Sequence, residues 1–183
     1  GVFKEKVFKR IMLPIRKSQR KFIRFSDRIL PTSKYGPKYM NTPETFIFHK
    51  KDNLYGLYES KQEIRKEDLV IFCEGQTDVI SAHQNGISNI VAPLGTALTK
   101  EQLEKISHFT KNILFFFDND EAGKQAMVRA FKMASELELH PYGASPMPYK
   151  DLDELIKEDL NLLKKRITEK RDAFSFLLTE FLN

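Results

Sequence analysis

Residues 69–75 have the sequence Leu69-Val70-Ile71-Phe72-Cys73-Glu74-Gly75, an apolar run that ends in an acidic residue and a glycine. A short run of this kind is typical of a strand that is buried on both faces of a parallel sheet. A second run, Ile113-Leu114-Phe115-Phe116-Phe117, is followed by Asp118-Asn119-Asp120. Ligands collect at the carboxyl ends of the strands in such sheets. The two runs therefore predict one functional edge at which three carboxylates meet.

Strand-like and helix-like segments alternate from Asp68 onward, which predicts an α/β fold with a short, mostly parallel sheet flanked by helices. Thr99 and Gln102 have the spacing of a capping box and so mark a helix start. The predicted segments are helices at 78–85, at 99–109 and from about Glu121, strands at 89–94 and 142–147, and an amphipathic C-terminal helix at 160–182. The helix that begins near Glu121 places on one face Ala122, Ala126, Ala130, Met133, Ala134 and Leu137.

The first 67 residues differ from the rest of the chain in charge. They hold 17 basic and 7 acidic residues (net +10), whereas the remainder holds 13 basic and 18 acidic residues (net −5), which sum to the overall +5. Alternating segments such as 21–25 predict short strands in this basic part, with a loop at 31–37. We expect three parts: a basic strand-rich subdomain at 1–67, an α/β domain at 68–158 and a C-terminal helical segment at 159–183. The basic part is suited to an anionic polymer.

Several classes of protein are disfavoured by the sequence. No stretch approaches the roughly 18–20 apolar residues of a membrane span, and the first residues lack the apolar run of a signal peptide. A single cysteine, Cys73, cannot form an internal disulfide or a cysteine-based zinc site, which favours the cytoplasm. Cys73 lies within the predicted strand and is expected in the core. The motifs GxxxxGK[ST], GxGxxG and GxSxG are all missing.

Carboxylates that follow buried strands point to a hard divalent cation. Glu74, Asp118 and Asp120 would repel one another at a shared edge, and Mg²⁺ relieves this while keeping coordination sites for substrate phosphates. Asp78, Asp151 and Asp153 are further candidates for metal binding. For these three, helix capping is an equally good explanation, because acidic residues are favoured at helix starts.

Three acidic stretches together resemble the Toprim domain of bacterial DnaG-type DNA primases. They are Val70-Ile71-Phe72-Cys73-Glu74-Gly75-Gln76-Thr77-Asp78-Val79-Ile80, Leu94-Gly95-Thr96-Ala97-Leu98-Thr99 and Phe117-Asp118-Asn119-Asp120-Glu121-Ala122-Gly123. The basic part resembles the segment that precedes Toprim in these primases, in the stretches Met12-Leu13-Pro14-Ile15-Arg16, 37–45, Phe48-His49-Lys50 and Leu54-Tyr55-Gly56-Leu57. The resemblance covers residues 1–158.

The resemblance implies roles for individual residues. Glu74, Asp118 and Asp120 would be catalytic and bind two or more Mg²⁺ or Mn²⁺ ions, and Asp151 and Asp153 would form a second acidic pair. The residues that would bind template or nucleotide phosphates are Arg28, Lys38 and Lys50. Two departures from the family pattern stand out: Ser26-Asp27 precedes Arg28 where glycines are usual, and Leu152 replaces a proline.

The implied function is primer synthesis, the templated polymerisation of ribonucleotides on single-stranded DNA during replication. The implied partners are the DNA template, ribonucleoside triphosphates and a replicative helicase, with no membrane. We expect the chain to be a monomeric piece of a longer protein, in which a zinc-binding N-terminal module and a helicase-binding C-terminal region lie outside this sequence. Two alternatives remain open: another Toprim enzyme, such as a nuclease of the overcoming-lysogenization-defect type, and a non-catalytic nucleic-acid-binding module.

Overall fold

The structure, a computed structural model, describes residues 9–17, 21–30, 32, 39–41 and 48–181, without the side chains of 39–41 and 181. Its described residues form an antiparallel three-stranded sheet and a five-stranded, mostly parallel sheet. The elements in chain order are β1 Arg10–Arg16, β2 Phe22–Ile29, β3 Tyr39–Asn41, a 3-10 helix Lys50–Asp52, α1 Leu57–Glu67, β4 Val70–Phe72, α2 Gln76–Gln84, β5 Ile90–Val91, α3 Lys100–Ser107, β6 Asn112–Phe115, α4 Glu121–Glu136, β7 His140–Gly143, α5 Leu152–Glu158, α6 Leu160–Thr168, β8 Arg171–Asp172 and α7 Ala173–Phe181.

The five-stranded sheet has the strand order β5-β4-β6-β7-β8. The first four strands are parallel, and β8 runs antiparallel to β7. Successive residues of β4 face opposite layers: Val70 and Phe72 pack in one buried cluster, and Ile71 packs in the other. Both faces of the sheet are thus covered by helices, as the continuous apolar runs predicted. The order also places the predicted acidic strand ends next to each other, since β4 and β6 are neighbours.

The basic part contains the antiparallel sheet β1-β2-β3. It packs against the larger sheet's domain through a small cluster of Ile15, Phe48 and Leu94, each about 1% exposed. Arg16 also forms a salt bridge of 3.7 Å with Glu59 of α1. The basic sheet therefore lies beside the carboxyl end of β5, because Leu94 comes just after that strand.

The C-terminal segment differs from the single helix that the sequence predicted. It contains two helices, α6 and α7, separated by β8. Tyr142 and Gly143 of β7 pair with Asp172 and Arg171 of β8, so this short stretch extends the sheet and interrupts the helix. The hydrophobic periodicity of the tail could not reveal a strand of two polar residues.

Helix α4 is also rotated relative to its predicted face. Its buried residues are Gly123, Met127, Ala130, Phe131 and Ala134. Ala126 and Met133, which the sequence placed on the same face as Ala130 and Ala134, are only partly buried. No helix among the described residues is both long and apolar enough to cross a membrane.

Candidate metal-binding active site

Glu74 and Asp118 follow the neighbouring strands β4 and β6 and meet at the carboxyl edge of the sheet. The backbone N–H of Asp118 donates a hydrogen bond of 3.0 Å to Glu74 Oε1. This contact joins the ends of the two strands. The sequence predicted that these ends meet, because each apolar run is followed directly by an acidic residue. Glu74 is exposed and Asp118 is half-buried, so both are open to a ligand from solvent.

Asp120 lies at the N-terminus of α4. Its Oδ1 accepts a hydrogen bond of 2.8 Å from the backbone N–H of Gly123 and so caps the helix. Gly123 fits closely under the site, because a Cβ at this position would lie 2.2 Å from the carbonyl oxygen of Asp118 and 3.0 Å from Glu74 Oε1. The first turn of α4 can therefore approach the acidic residues only because residue 123 has no side chain.

Asp78 caps a helix. Capping was one of the two roles that the sequence allowed for this residue, and metal binding was the other. Its Oδ2 accepts a hydrogen bond of 2.9 Å from the backbone N–H of Gly75 at the start of α2. The side chain is buried. The pKa of Asp78 is raised to about 7, mainly by burial and also by the negative charges of Asp118, Asp151 and Asp153. Asp78 therefore belongs electrostatically to the same acidic group.

Asp151 and Asp153 stand at the start of α5. Asp151 caps this helix by accepting a hydrogen bond of 2.9 Å from the backbone N–H of Glu154. Asp153 lies in the first turn and pairs with Lys157. The loop before α5 is tied to the acidic edge because the backbone N–H of Asn119 donates a hydrogen bond of 3.0 Å to the carbonyl oxygen of Lys150.

The carboxylates at this edge repel one another. The pKa of Asp118 is raised to about 6, mainly by burial and also by the charges of Glu74, Asp151 and Asp120. Burial also raises the pKa of Glu74, where the charge of Asp120 adds to the rise and the Asp118 N–H opposes it. A cation placed here would relieve this repulsion, and the oxygen donors suit a hard divalent ion.

The arrangement is nevertheless not a compact cage. Among the residues that the structure describes, no three acidic, histidine or cysteine side chains converge on a single point that would hold a metal ion. Glu74, Asp78, Asp120 and Asp151 each use one carboxylate oxygen on a backbone N–H, which spreads the acidic groups along the edge. The donor set thus fits divalent cations that keep water or phosphate ligands as well, the usual behaviour of Mg²⁺.

Two of the three predicted phosphate-binding residues lie in the described part of the chain, and Lys38 lies outside it. The hydrogen bond with Asp153 raises the pKa of Lys157, and the positive charge of Arg28, in β2, lowers it. Arg28 therefore lies close to Lys157. Lys50 lies in the 3-10 helix that contacts the start of α3, where Gln102 Nε2 donates a hydrogen bond of 3.1 Å to the Lys50 carbonyl oxygen. Both residues are therefore near the carboxyl edge of the larger sheet.

The sequence interpretation missed two features of the site. The first is the packing role of Gly123, for which the glycine in the quoted acidic stretch was a signal. The second is the electrostatic effect of Lys150 on Asp118: the positive charge of Lys150 lowers the pKa of Asp118, whereas burial and the neighbouring carboxylates raise it. Its backbone contact with Asn119 could not be foreseen, because it joins two loops that are distant in sequence.

Comparison with known families supports this description of both parts of the chain. Residues 71–156 match the family described as "Toprim-like", and residues 2–61 match the family described as "DNA primase catalytic core, N-terminal domain". The DNA primase of Aquifex aeolicus is 37% identical over 181 residues, which cover 97% of this chain and 36% of the relative. The DNA primase of Enterococcus faecalis is 37% identical over 163 residues, covering 86% of this chain and 26% of the relative. The chain thus spans about a third or less of the length of these relatives.

Solved structures agree with these matches. The zinc-binding and RNA polymerase domains of the Aquifex aeolicus primase superpose with a TM-score of 0.89 at 36% identity, covering 100% of this chain and 46% of that chain. The DnaG primase catalytic domain bound to single-stranded DNA superposes with a TM-score of 0.82 at 32% identity, covering 94% of this chain and 56% of that chain. This chain belongs to the DnaG-type DNA primase family and matches a part of that family's catalytic core that includes the Toprim domain.

Proposed function

We propose that this chain carries out the nucleotidyl-transfer chemistry of a DNA primase, the template-directed synthesis of short RNA primers on single-stranded DNA. The observation that carries the proposal is the contact between Glu74 and the Asp118 backbone, which joins two acidic strand ends at one edge of the sheet. The basic three-stranded sheet stands beside this edge and supplies the opposite charge. Membership of the primase family supports the same activity.

In the proposed mechanism Glu74, Asp118 and Asp120 hold two or more Mg²⁺ or Mn²⁺ ions, and Asp78, Asp151 and Asp153 support them. The bound ions would neutralise charge on the incoming triphosphate and on the transferring phosphorus. The chain's own contribution is to keep the carboxylates in place. The Asp118 N–H orients Glu74, and the N-terminus of α4 orients Asp120.

Arg28, Lys38 and Lys50 would hold the phosphates of the template or the nucleotide. A relative's catalytic domain is known bound to single-stranded DNA, which supports this strand as the template. Contacts of lysine and arginine with the backbone phosphates would make binding depend strongly on salt. Ribonucleoside triphosphates would be the substrates, and a replicative helicase would be the partner of the whole protein. Such work would take place in the cytoplasm, where the sequence interpretation located the chain.

The proposal is tested in the full-length protein with Asp118→Asn combined with Asp120→Asn. Asparagine removes the negative charge but can still cap α4, so the fold is kept. The expected result is a loss of at least 100-fold in Mg²⁺- or Mn²⁺-dependent primer synthesis. The matched control is Asp159→Asn, which changes another capping aspartate, at the start of α6. Unchanged primer synthesis by the double variant would contradict the site.

The same preparation separates primer synthesis from cleavage of DNA. Metal-loaded wild-type protein is incubated with single-stranded template and ribonucleotides, and separately with supercoiled plasmid. A primase yields short RNA, whereas a Toprim nuclease yields nicked plasmid. Binding of DNA with neither product and without uptake of Mn²⁺ would favour a non-catalytic module.

A further inference from the structure

Arg10 and Asp27 form an ion pair that is buried in the antiparallel basic sheet. The Arg10 Nε–H donates a hydrogen bond to Asp27 Oδ1, and the two side chains are only 4% and 6% exposed. Asp27 is one of the two residues at which this chain departs from the glycines that are usual before Arg28. A glycine at position 27 would remove the carboxylate that Arg10 contacts. The departure therefore supplies a buried arginine with a partner of opposite charge.

The ion pair and Arg28 lie on opposite faces of the sheet. Arg10 lies opposite Ile29 in the neighbouring strand, and Asp27 lies opposite Met12. Arg10 and Asp27 are therefore diagonal neighbours on one face. Arg28 follows Asp27 in β2, and its side chain is on the other face, because successive residues of a strand alternate.

The face that carries Arg28 is the face that packs against the Toprim domain. Ile11 lies opposite Arg28, so Ile15, four residues further along β1, is on the same face. Ile15 packs with Leu94, which comes just after β5. The charge of Arg28 also acts on Lys157 of α5, beside the acidic edge. The position of Arg28 near this edge thus depends on which face of β2 is turned to the Toprim domain.

The hydrophobic pattern of β1 and β2 does not fix this choice by itself. A slip of one residue moves every side chain to the opposite face, and burial opposes it only where the two faces differ in polarity. Here Leu13 is buried on one face, whereas Met12 and Phe25 on the other face are apolar and are 43% and 45% exposed. The pairing also shifts at a bulge between Ile15 and Arg16, so the turn that joins the strands does not set the register beyond the bulge.

We propose that the Arg10–Asp27 ion pair sets the register of β1 against β2 and thereby directs Arg28 to the acidic edge. In a register slipped by one residue, the two charges would lie on opposite faces of the sheet. A buried charge that has lost its partner is strongly destabilising, so the slipped register is disfavoured. A buried polar residue selects one register in coiled coils in the same way. Arg10 and Asp27 are thus positioning residues, and their role rests on the proposed function, in which Arg28 binds phosphates.

The test is the sign of the change in affinity for single-stranded DNA, measured by fluorescence anisotropy. Asp27→Ala removes a negative charge, so the protein would bind DNA more tightly if Asp27 contributed only its charge. Displacement of Arg28 predicts the reverse: binding several-fold weaker and a slope of log affinity against log salt reduced by about 0.7, as for Arg28→Ala. Asp27→Ala added to Arg28→Ala should weaken binding no further. The charge-matched control is Glu59→Ala, which breaks the salt bridge of the same sheet with α1 and should leave the affinity unchanged or raise it.

A disulfide that holds the native register provides the rescue. Pro14 and Phe25 lie opposite each other and are exposed, so cysteines introduced by Pro14→Cys and Phe25→Cys can be joined in this register, whereas the one native cysteine is buried. The oxidised disulfide should leave binding by the otherwise unchanged chain as it is. In the Asp27→Ala background it should restore both the affinity and the salt slope, and it holds the sheet together if Asp27→Ala alone does not fold.

Two outcomes would overturn the positioning role alone. One is unchanged or tighter DNA binding by Asp27→Ala, and the other is binding that stays weak after the disulfide has formed. Unchanged DNA binding by Arg28→Ala would instead overturn the proposed role of Arg28, and the positioning role with it. The Arg28→Ala variant therefore separates a failure of the proposed function from a failure of the ion pair.

Discussion

The backbone N–H of Asp118 points at the side chain of Glu74, to whose Oε1 it donates a hydrogen bond of 3.0 Å. A carboxylate at the end of one strand thereby holds the first acidic residue after the neighbouring strand. Glu74 has two separable roles in this arrangement: its oxygen accepts a structural hydrogen bond, and its charge contributes to the proposed cation site.

Substitution of Glu74 should separate these two roles. Glu74→Gln keeps an acceptor oxygen and should change the free energy of unfolding by less than about 0.5 kcal/mol, whereas Glu74→Ala removes the bond and should cost about 1 kcal/mol. Both variants should bind Mn²⁺ at least 10-fold more weakly. Urea unfolding in EDTA measures the first effect, and titration with Mn²⁺ measures the second. Full Mn²⁺ affinity in Glu74→Gln would remove this residue from the site.

The stability of the metal-free chain should depend on pH through the acidic edge. The pKa values of about 7 for Asp78 and about 6 for Asp118 lie above the ordinary aspartate value, so the folded chain binds these protons more tightly than the unfolded chain does. Their contribution to stability is complete below pH 4 and is lost as the pH rises through 6 and 7. Between pH 5 and pH 8 in EDTA, we expect unfolding free energy to fall by roughly 1–3 kcal/mol.

Two variants check the origin of this slope. Asp78→Asn should reduce it to the part that comes from Asp118, because the neutral amide has no proton to lose in this range. Asp172→Asn should leave it unchanged, because Ser175 lowers the pKa of Asp172 and places its titration below the range. Thermal unfolding from pH 5 to pH 8 is the measurement, and a stability that rises with pH would contradict the assignment.

Gly123 should resist replacement by alanine. In an ordinary helix interior this change stabilises by about 1 kcal/mol. Here the added Cβ would lie 2.2 Å from the Asp118 carbonyl oxygen, so α4 must shift, and we expect a loss of about 1–3 kcal/mol together with weaker Mn²⁺ binding. Urea unfolding gives the sign of the change. Gly86→Ala is a useful comparison, because a Cβ there meets no atom within 4 Å although its positive φ adds strain.

The sequence predicted those parts of the site that depend on local patterns. Continuous apolar runs marked β4 and β6, and the capping box at Thr99 and Gln102 is present in α3. Because β4 and β6 are neighbouring parallel strands, they end at the same edge of the sheet, and this brings Glu74 and Asp118 together. The split of the C-terminal tail by β8 was not predictable in this way, since two polar residues carry no strand periodicity and are set by their pairing with β7.

Contacts between segments distant in sequence were equally out of reach. Gln102, fully buried, donates through Nε2 to the carbonyl oxygens of Lys50 and Asn53, at 3.1 and 2.9 Å. Thr99 Oγ1 donates a hydrogen bond of 2.7 Å to the carbonyl oxygen of Lys51. The capping motif of α3 therefore also attaches the segment after the basic sheet to the Toprim domain. A sequence motif can predict the cap but not this second use of the same side chains.

Replacement of Gln102 should loosen this attachment. Gln102→Ala leaves two backbone oxygens without their donor, and we expect a loss of about 2–3 kcal/mol in unfolding free energy. Limited proteolysis should also cut more readily near residues 48–56. The control is Gln125→Ala on α4, whose side chain bonds to Glu121 at 3.3 Å and to no other residue that the structure describes. It should change stability by less than about 0.5 kcal/mol. Equal effects of the two variants would argue against a linking role for Gln102.

Charge on the basic part should govern binding of single-stranded DNA. Lys38→Ala and Lys50→Ala are each expected to weaken binding several-fold and to reduce the slope of log affinity against log salt, by about 0.7 for each phosphate of a single strand that is no longer neutralised. Arg28→Ala should act in the same way, because its charge reaches the Lys157 ion pair beside the acidic edge. The charge-matched control is Lys165→Ala, an exposed residue of α6 that should leave the slope unchanged. Fluorescence anisotropy with a labelled oligonucleotide at several salt concentrations measures both quantities. An unaltered salt dependence in all three variants would show that the basic sheet is only a solvated surface, and the template would then have to lie elsewhere on the protein.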